Sequence, residues 1–302
     1  MSREKTMDAT VQPGPTSAAL KNALIVGNDS EVAEALSGIL HPGEWKIQQT
    51  KGTDEAFALA KTTPFELIVT SRHSSGKEDV EFLRRLRRVR PHTRLIILAD
   101  ESTPSDVIAS MRENAFGYLS KSLTMDSLKE LVLLAMESPA WNDGIEVVSA
   151  TPEWIRLHVR CEIATANRLL LFMREIADLP EEERHKVGSA FREMLLNAME
   201  HGGHFDPTQY VEISYVRTKH MVLCRIKDPG QGFSLEEIQH AAIGNPPGDP
   251  VHHVPDRNEK GMRPGGYGVL MAKNLVDDLI YGEKGNEVLL IKYLDAPAAT
   301  KG

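Results

Sequence analysis

The chain has 302 residues, a net charge of -8 at pH 7 and two cysteines, Cys161 and Cys224. This length accommodates two domains, and the negative charge argues against broad nucleic-acid binding. The longest apolar run is too short to cross a bilayer, so we expect no membrane insertion. Two cysteines supply no disulfide framework, which favours a reducing cytoplasm.

Residues 1–21 contain a Pro-Gly-Pro sequence and no apolar core, so we expect a flexible tail and no signal peptide. Residues 22–137 then alternate short apolar runs, typical of parallel strands buried on both faces, with amphipathic segments. The predicted strands are 23–26, 45–50, 65–70, 94–98 and 117–120, and the predicted helices are 30–40, 54–61, 80–89, 104–113 and 124–136. Five βα units of this kind predict a doubly wound parallel α/β sheet.

The stretch 138–144 is rich in turn residues and predicts a linker. Residues 145–296 follow a different order, which predicts an α+β sandwich, and 297–302 form a tail. The expected elements are strands at 145–148 and 155–159, helices at 162–177 and 181–200, a hairpin at 210–217 and 220–227, a helix at 268–277 and two last strands.

Glu193 and Asn197 are four residues apart on a predicted helix, so their side chains share one face. A carboxylate beside an amide oxygen suits a magnesium ion, which prefers oxygen ligands and keeps several waters and phosphate oxygens. Glu193 is also suited to orienting or deprotonating an attacking hydroxyl. Taken alone, the pair is more simply two polar residues on an exposed helix.

Asp228 ends a predicted strand and enters the sequence Asp-Pro-Gly-Gln-Gly, which contains Gly230 and Gly232. A carboxylate held there can accept a hydrogen bond from the exocyclic amine of adenine, and the glycines allow the backbone to approach the base. The alternative is a plain strand-to-loop turn.

A third motif, Arg-Pro-Gly-Gly-Tyr-Gly, precedes a predicted amphipathic helix. A Gly-rich turn at a helix N-terminus offers free N–H groups and a positive dipole end to phosphates. The loop over 234–262 is too long for a routine connection and is interpreted as a lid over ATP. Besides Asn197 and Asp228, the cofactor-binding candidates are Gly230, Gly232, Arg263, Gly265, Gly266, Tyr267 and Gly268.

In this order the three motifs resemble the N, G1 and G2 boxes of the GHKL ATPase/kinase superfamily, over residues 145–295. The wording around Glu193 resembles its anti-sigma-factor serine/threonine kinase branch. The resemblance implies a Bergerat-type ATP fold with ATP and Mg²⁺, in which Glu193 is the catalytic base, Asn197 the magnesium ligand and Asp228 the adenine reader. It also implies a protein partner, either an antagonist with a phosphorylatable serine or a sigma factor.

Residues 22–136 resemble a response-regulator receiver domain in their pattern and in Lys121 after the last strand. The chemistry differs, because Gly27 and Asn28 stand where receivers hold metal-binding carboxylates, and Ser71 stands where they hold the phosphoacceptor aspartate. Ala99 replaces the switch hydroxyl. We therefore expect a pseudo-receiver that serves as a dimerisation or docking surface, and a homodimer fits this expectation.

Two other patterns have simpler interpretations. The arginine-rich segment 83–90 has apolar residues at helical spacing, so its arginines are expected on a solvated helix face. Four histidines, at 201, 204, 252 and 253, lack neighbouring cysteines and do not indicate a zinc site. The leading hypothesis is a cytoplasmic serine/threonine kinase. The alternatives are an ATP-sensing adaptor that sequesters a partner without phosphotransfer, and a structural module with a vestigial site.

Overall fold

The computed structural model shows two sheets with flanking helices. It describes residues 20–72, 76–101, 103–120, 125–137, 144–177, 179–232 and 267–294. Outside the described residues lie nearly all of the predicted tails and linker, the lid, Lys121, Arg263, Gly265 and Gly266. None of the described helices has the length and apolar content needed to cross a membrane.

The first sheet has five parallel strands in the order β2-β1-β3-β4-β5. Its strands are β1 (Lys21–Val26), β2 (Trp45–Thr50), β3 (Leu67–Arg72), β4 (Arg94–Ala99) and β5 (Gly117–Ser120). Its helices are α1 (Ser30–Ile39), α2 (Thr53–Thr62), α3 (Lys77–Val89), α4 (Pro104–Arg112) and α5 (Met125–Glu137). This strand order is that of a doubly wound sheet, which confirms the predicted fold of the first half.

The strands of this sheet are covered on both faces, as continuous apolar runs require. On one face, β-strand side chains pack with α1 and α5 in one apolar cluster. On the other face they pack with α2, α3 and α4 in a cluster that continues into the second half of the chain. Asp29 caps α1, because its carboxylate accepts hydrogen bonds from the backbone N–H groups of Glu31 and Val32.

The second sheet has six antiparallel strands in the order β10-β11-β9-β8-β7-β6. Its strands are β6 (Ile145–Thr151), β7 (Trp154–Arg160), β8 (Tyr210–Arg217), β9 (Met221–Lys227), β10 (Asp278–Tyr281) and β11 (Glu287–Tyr293). Its helices are α6 (Ile163–Ile176), α7 (Glu181–Asn197) and α8 (Gly268–Leu275).

Alternate residues of the central strands of this sheet are buried, as in β8, where Val211, Ile213 and Tyr215 face the helices. One sheet face is therefore covered by helices, and this confirms the predicted α+β sandwich. A π-helical turn, Ala198–Gly202, continues α7 directly after Asn197. Such turns often occur at functional sites.

Candidate functional site

Glu193 and Asn197 lie on the same side of α7 and face the first residue of α8. A Cβ atom added to Gly268 would lie 2.8 Å from Oε2 of Glu193 and 3.7 Å from Nδ2 of Asn197. The glycine therefore permits the N-terminus of α8 to approach both polar side chains. The Glu193 side chain remains 28% exposed, with Arg192 Nη1 at 3.8 Å from its Oε1 atom.

This arrangement is compatible with a magnesium ion and a phosphate group. Asn197 offers an amide oxygen, which is a hard ligand, and α8 begins at Gly268 with a helix N-terminus. In the part of the chain that is described, no group of three or more His, Cys, Asp or Glu residues is arranged to hold a metal. A magnesium ion held mainly by phosphate and water oxygens does not need such a group.

Asp228 follows β9 and forms the second part of the site. Its Oδ1 atom accepts a hydrogen bond of 2.8 Å from the backbone N–H of Gly230. Burial raises the pKa of this carboxyl above its ordinary value, although the hydrogen bond from Gly230 and the nearby His201 oppose the shift. A half-buried carboxylate has two acceptor oxygens, so it can bind both this backbone N–H and a purine amine.

Gly202, at the end of the π-helical turn, forms the floor beneath Asp228. A Cβ atom at this position would overlap the Asp228 carboxylate. Sequence reasoning did not select Gly202, because only its position two turns beyond Glu193 marks it in the sequence. The adjacent Gly203 is packed against the thiol of Cys161, and burial raises the pKa of that thiol to about 11.

Asn286, in the turn between β10 and β11, supports the loop that begins at Asp228. Its Nδ2 atom donates to the carbonyl oxygens of Asp228 at 3.4 Å and Gly230 at 3.3 Å. Gly232 has a φ of 83°, and a Cβ atom there would overlap the carbonyl of Lys284. The glycine is therefore needed for close contact between the two loops. Asn286 is not predicted from the sequence, because the loop after Asp228 and the turn between β10 and β11 meet only in the folded chain.

Of the remaining candidates, only some lie among the described residues. Tyr267 precedes α8 and is 43% exposed. Arg263, Gly265 and Gly266 lie outside the described residues, so the phosphate-binding role predicted for them stays a prediction. The roles predicted for Glu193 and the other described site residues also stay predictions.

At the carboxyl end of the first sheet, the described residues do not form the set of carboxylates that a receiver uses. Ser71 lies in β3, is 2% exposed and donates a 3.0 Å hydrogen bond to Oδ2 of Asp29. Gly27 has a φ of 135°, and a Cβ atom there would overlap the carbonyl oxygen of Ser71. This backbone leaves no room for a carboxylate at position 27.

Because the predicted helix begins at residue 80, the sequence predicts Glu78 and Asp79 in the loop after β3, where a displaced phosphoacceptor would need to lie. This expectation is wrong, because both lie in the first turn of α3 and Asp79 is fully buried. A buried side chain in a helix is not presented to a phosphodonor.

Comparison with known proteins finds a matching family model for each half of the chain. Residues 159–292 match the model of the histidine kinase-like ATPase domain, and residues 23–133 match that of the response regulator receiver domain. The serine-protein kinase RsbW of Oceanobacillus iheyensis is 29% identical over 154 residues, which cover 50% of this chain and 87% of that protein.

Further relatives are response regulators. The response regulator receiver protein Anae109_2439 of Anaeromyxobacter sp. is 25% identical over 112 residues, which cover 37% of this chain and 47% of that protein, about half its length. A CheY-like receiver domain protein of Methanospirillum hungatei has a TM-score of 0.34 at 21% identity, covering 38% of this chain and 92% of its own. A response regulator of Thermotoga maritima has the same TM-score and identity, covering 40% and 100%. The two family models together show a response regulator receiver domain over residues 23–133, followed by a histidine kinase-like ATPase domain of the GHKL type over residues 159–292.

Proposed function

We propose that this chain is a cytoplasmic serine/threonine protein kinase of the anti-sigma type, controlled by a receiver domain that is not itself phosphorylated. Residues 22–137 would form the receiver domain and residues 145–296 the ATPase domain. The position of Glu193 and Asn197 against Gly268 carries the proposal, because it gathers a base, a metal ligand and a helix N-terminus. The relative named as a serine-protein kinase supports the same reaction class.

Each residue has one role in this proposal. Asp228 accepts a hydrogen bond from the adenine amine, and Gly202 and Gly230 keep the carboxylate in place. Asn197 holds a magnesium ion, which would neutralise charge on the phosphates. Glu193 orients and deprotonates a serine hydroxyl of the partner protein, and its partial exposure leaves it accessible. Arg263, Gly265, Gly266 and Tyr267 would surround the phosphates.

Catalysis in such a site depends mainly on positioning and electrostatics. Transfer of the γ-phosphoryl group forms a bond from the serine oxygen to phosphorus and releases ADP. The serine proton passes to Glu193. The partner is a protein with an accessible serine, for which an antagonist of a sigma-factor regulator is the leading candidate.

A pair of variants tests this function. Glu193→Gln keeps the shape of the side chain but removes the base, so phosphoserine formation on an added antagonist protein should fall by about 100-fold or more, with ATP binding retained. Asp228→Asn should abolish binding and transfer together. If the unmodified chain binds ATP and the partner but forms no phosphoserine, the ATP-sensing adaptor is the correct function.

A further inference from the structure

Helix α6 has two buried faces, and one of them carries charged side chains. Arg168 is 3% exposed, Leu171 is 3% exposed and Glu175 is 9% exposed. Their spacing of three and four residues places them on one stripe of the helix. Leu171 belongs to the apolar cluster formed with α1 and α5. An adjacent stripe, which includes Leu169 and Phe172, packs in the cluster shared with the second sheet. The charged stripe therefore faces the receiver domain.

The two charged residues hold β5 at its two ends. At the start of the strand, Nε of Arg168 donates to the carbonyl of Phe116 at 2.9 Å and Nη2 donates to that of Ala115 at 3.4 Å. The guanidinium also lies 4.1 Å from the ring centre of Phe116. At the other end, Oε1 of Glu175 accepts from the backbone N–H of Ser120 at 3.0 Å.

β5 is the edge strand of the receiver sheet. An open edge can pair with another chain, and proteins often cover it with a helix. Here α6 lies against β5, α4 and α5 together, so it covers this edge from the other domain. A separate hydrogen bond of 2.8 Å runs from Arg112 in α4 to the carbonyl of Ala150 in β6, so it joins a receiver helix to the second sheet.

We propose that Arg168 and Glu175 form a two-point latch that docks the ATPase domain on the edge of the receiver sheet, and that the receiver controls the ATPase domain through this latch. Arg168 and Glu175 bind backbone groups of the receiver domain. When the domains separate, water can therefore solvate the two side chains and these backbone groups, so that no charge is left buried without a partner. α6 also packs against α7, which carries Glu193 and Asn197. Docking therefore restrains the helix pair beneath the candidate site.

Hydrogen exchange in the full-length chain tests the latch, because the Ser120 amide is itself one of its bonds. We expect Arg168→Met and Glu175→Ala each to speed exchange of the Ser120 amide by about tenfold, the effect of losing one charge-assisted hydrogen bond. Amides of α7 should exchange faster as well, and the radius of gyration should increase. Arg174→Met is the matched control, since Arg174 lies on the same helix but is exposed, and it should change none of these.

Exchange in β1 and β9 shows whether both domains of a latch variant remain folded. If it is unchanged and the exchange of the Ser120 amide is unchanged as well, the proposed docking is overturned. Faster Ser120 exchange with unchanged α7 exchange would overturn the control of the ATPase domain. If both variants fail to fold, the test uses the unmodified chain. A Ser120 amide without protection from exchange contradicts the latch, whereas a Ser120 amide that exchanges at the same rate as the α6 amides supports it. Nucleotide is not needed, so the outcome is independent of the proposed kinase activity.

Discussion

Gly202 lies directly beneath the carboxylate of Asp228, so closely that a single added methyl group would overlap it. The π-helical turn after Asn197 brings this glycine to the end of α7, and Asp228 arrives from β9. The five residues of this turn therefore connect Asn197, the candidate magnesium ligand, to Gly202, which contacts the candidate adenine-binding residue Asp228. The geometry of the candidate nucleotide site therefore depends on the absence of a side chain at Gly202.

Gly202→Ala should weaken binding of a non-hydrolysable ATP analogue by tenfold or more, because the methyl group displaces Asp228. The roughly tenfold loss corresponds to one well-placed hydrogen bond to a charged group. Gly188→Ala is the control, since a Cβ atom there meets no atom within 4 Å. In the interior of α7 this control should stabilise the protein by about 1 kcal/mol without changing affinity. Calorimetric titration and thermal unfolding measure both effects, and equal affinities would refute the role of Gly202.

Asp228→Asn should lose nucleotide binding without losing stability. Burial raises the pKa of Asp228, so folding favours its protonated form. The resulting contribution to the free energy of unfolding is fully present below the pKa of the aspartate in the unfolded chain, about 3.9. It is lost as the pH rises through the pKa of Asp228 in the folded chain. At pH 7 the neutral asparagine should therefore raise the unfolding temperature or leave it unchanged, and any advantage should shrink toward pH 4. A clear decrease at pH 7 in scanning calorimetry would contradict this.

Asn286→Asp should destabilise the Asp228 loop, because the side chain keeps its shape but no longer donates to the carbonyls of Asp228 and Gly230. It also brings a second carboxylate close to Asp228. We expect a loss of about 1–3 kcal/mol in the free energy of unfolding and weaker nucleotide binding. The same change at the exposed Asn274 should cost only about 0.3–1 kcal/mol, because the new carboxylate lies at the negative end of the α8 dipole. Denaturant titration compares the two, and equal small losses would show that Asn286 does not support the loop.

The receiver domain should not accept a phosphoryl group from acetyl phosphate in the presence of Mg²⁺. Ser71 is buried and bonded to Asp29, and the backbone at Gly27 leaves no space for a metal-binding carboxylate. Intact-mass spectrometry should show no increase, with an active receiver protein as the positive control. A phosphoryl adduct mapped to residues 20–137 would refute the assignment as a pseudo-receiver.

Local patterns predicted the elements well, and most observed boundaries fall within two residues of the predicted ones. The spacing of Glu193 and Asn197 also placed them on one face, because the helical period determines this. The contacts of Gly202 and Asn286 were not predictable, since residues far apart in the sequence meet there. Arg168 and Glu175 were missed for another reason: charged residues in an amphipathic pattern are expected on the surface, and only a second domain buries them.

The most direct test of the account is titration of the full chain with a non-hydrolysable ATP analogue, with and without Mg²⁺, beside Asp228→Asn. We predict saturable binding that magnesium strengthens and that the variant loses. Absence of binding at millimolar nucleotide, or equal binding by the variant, would contradict the proposed site and the kinase function together.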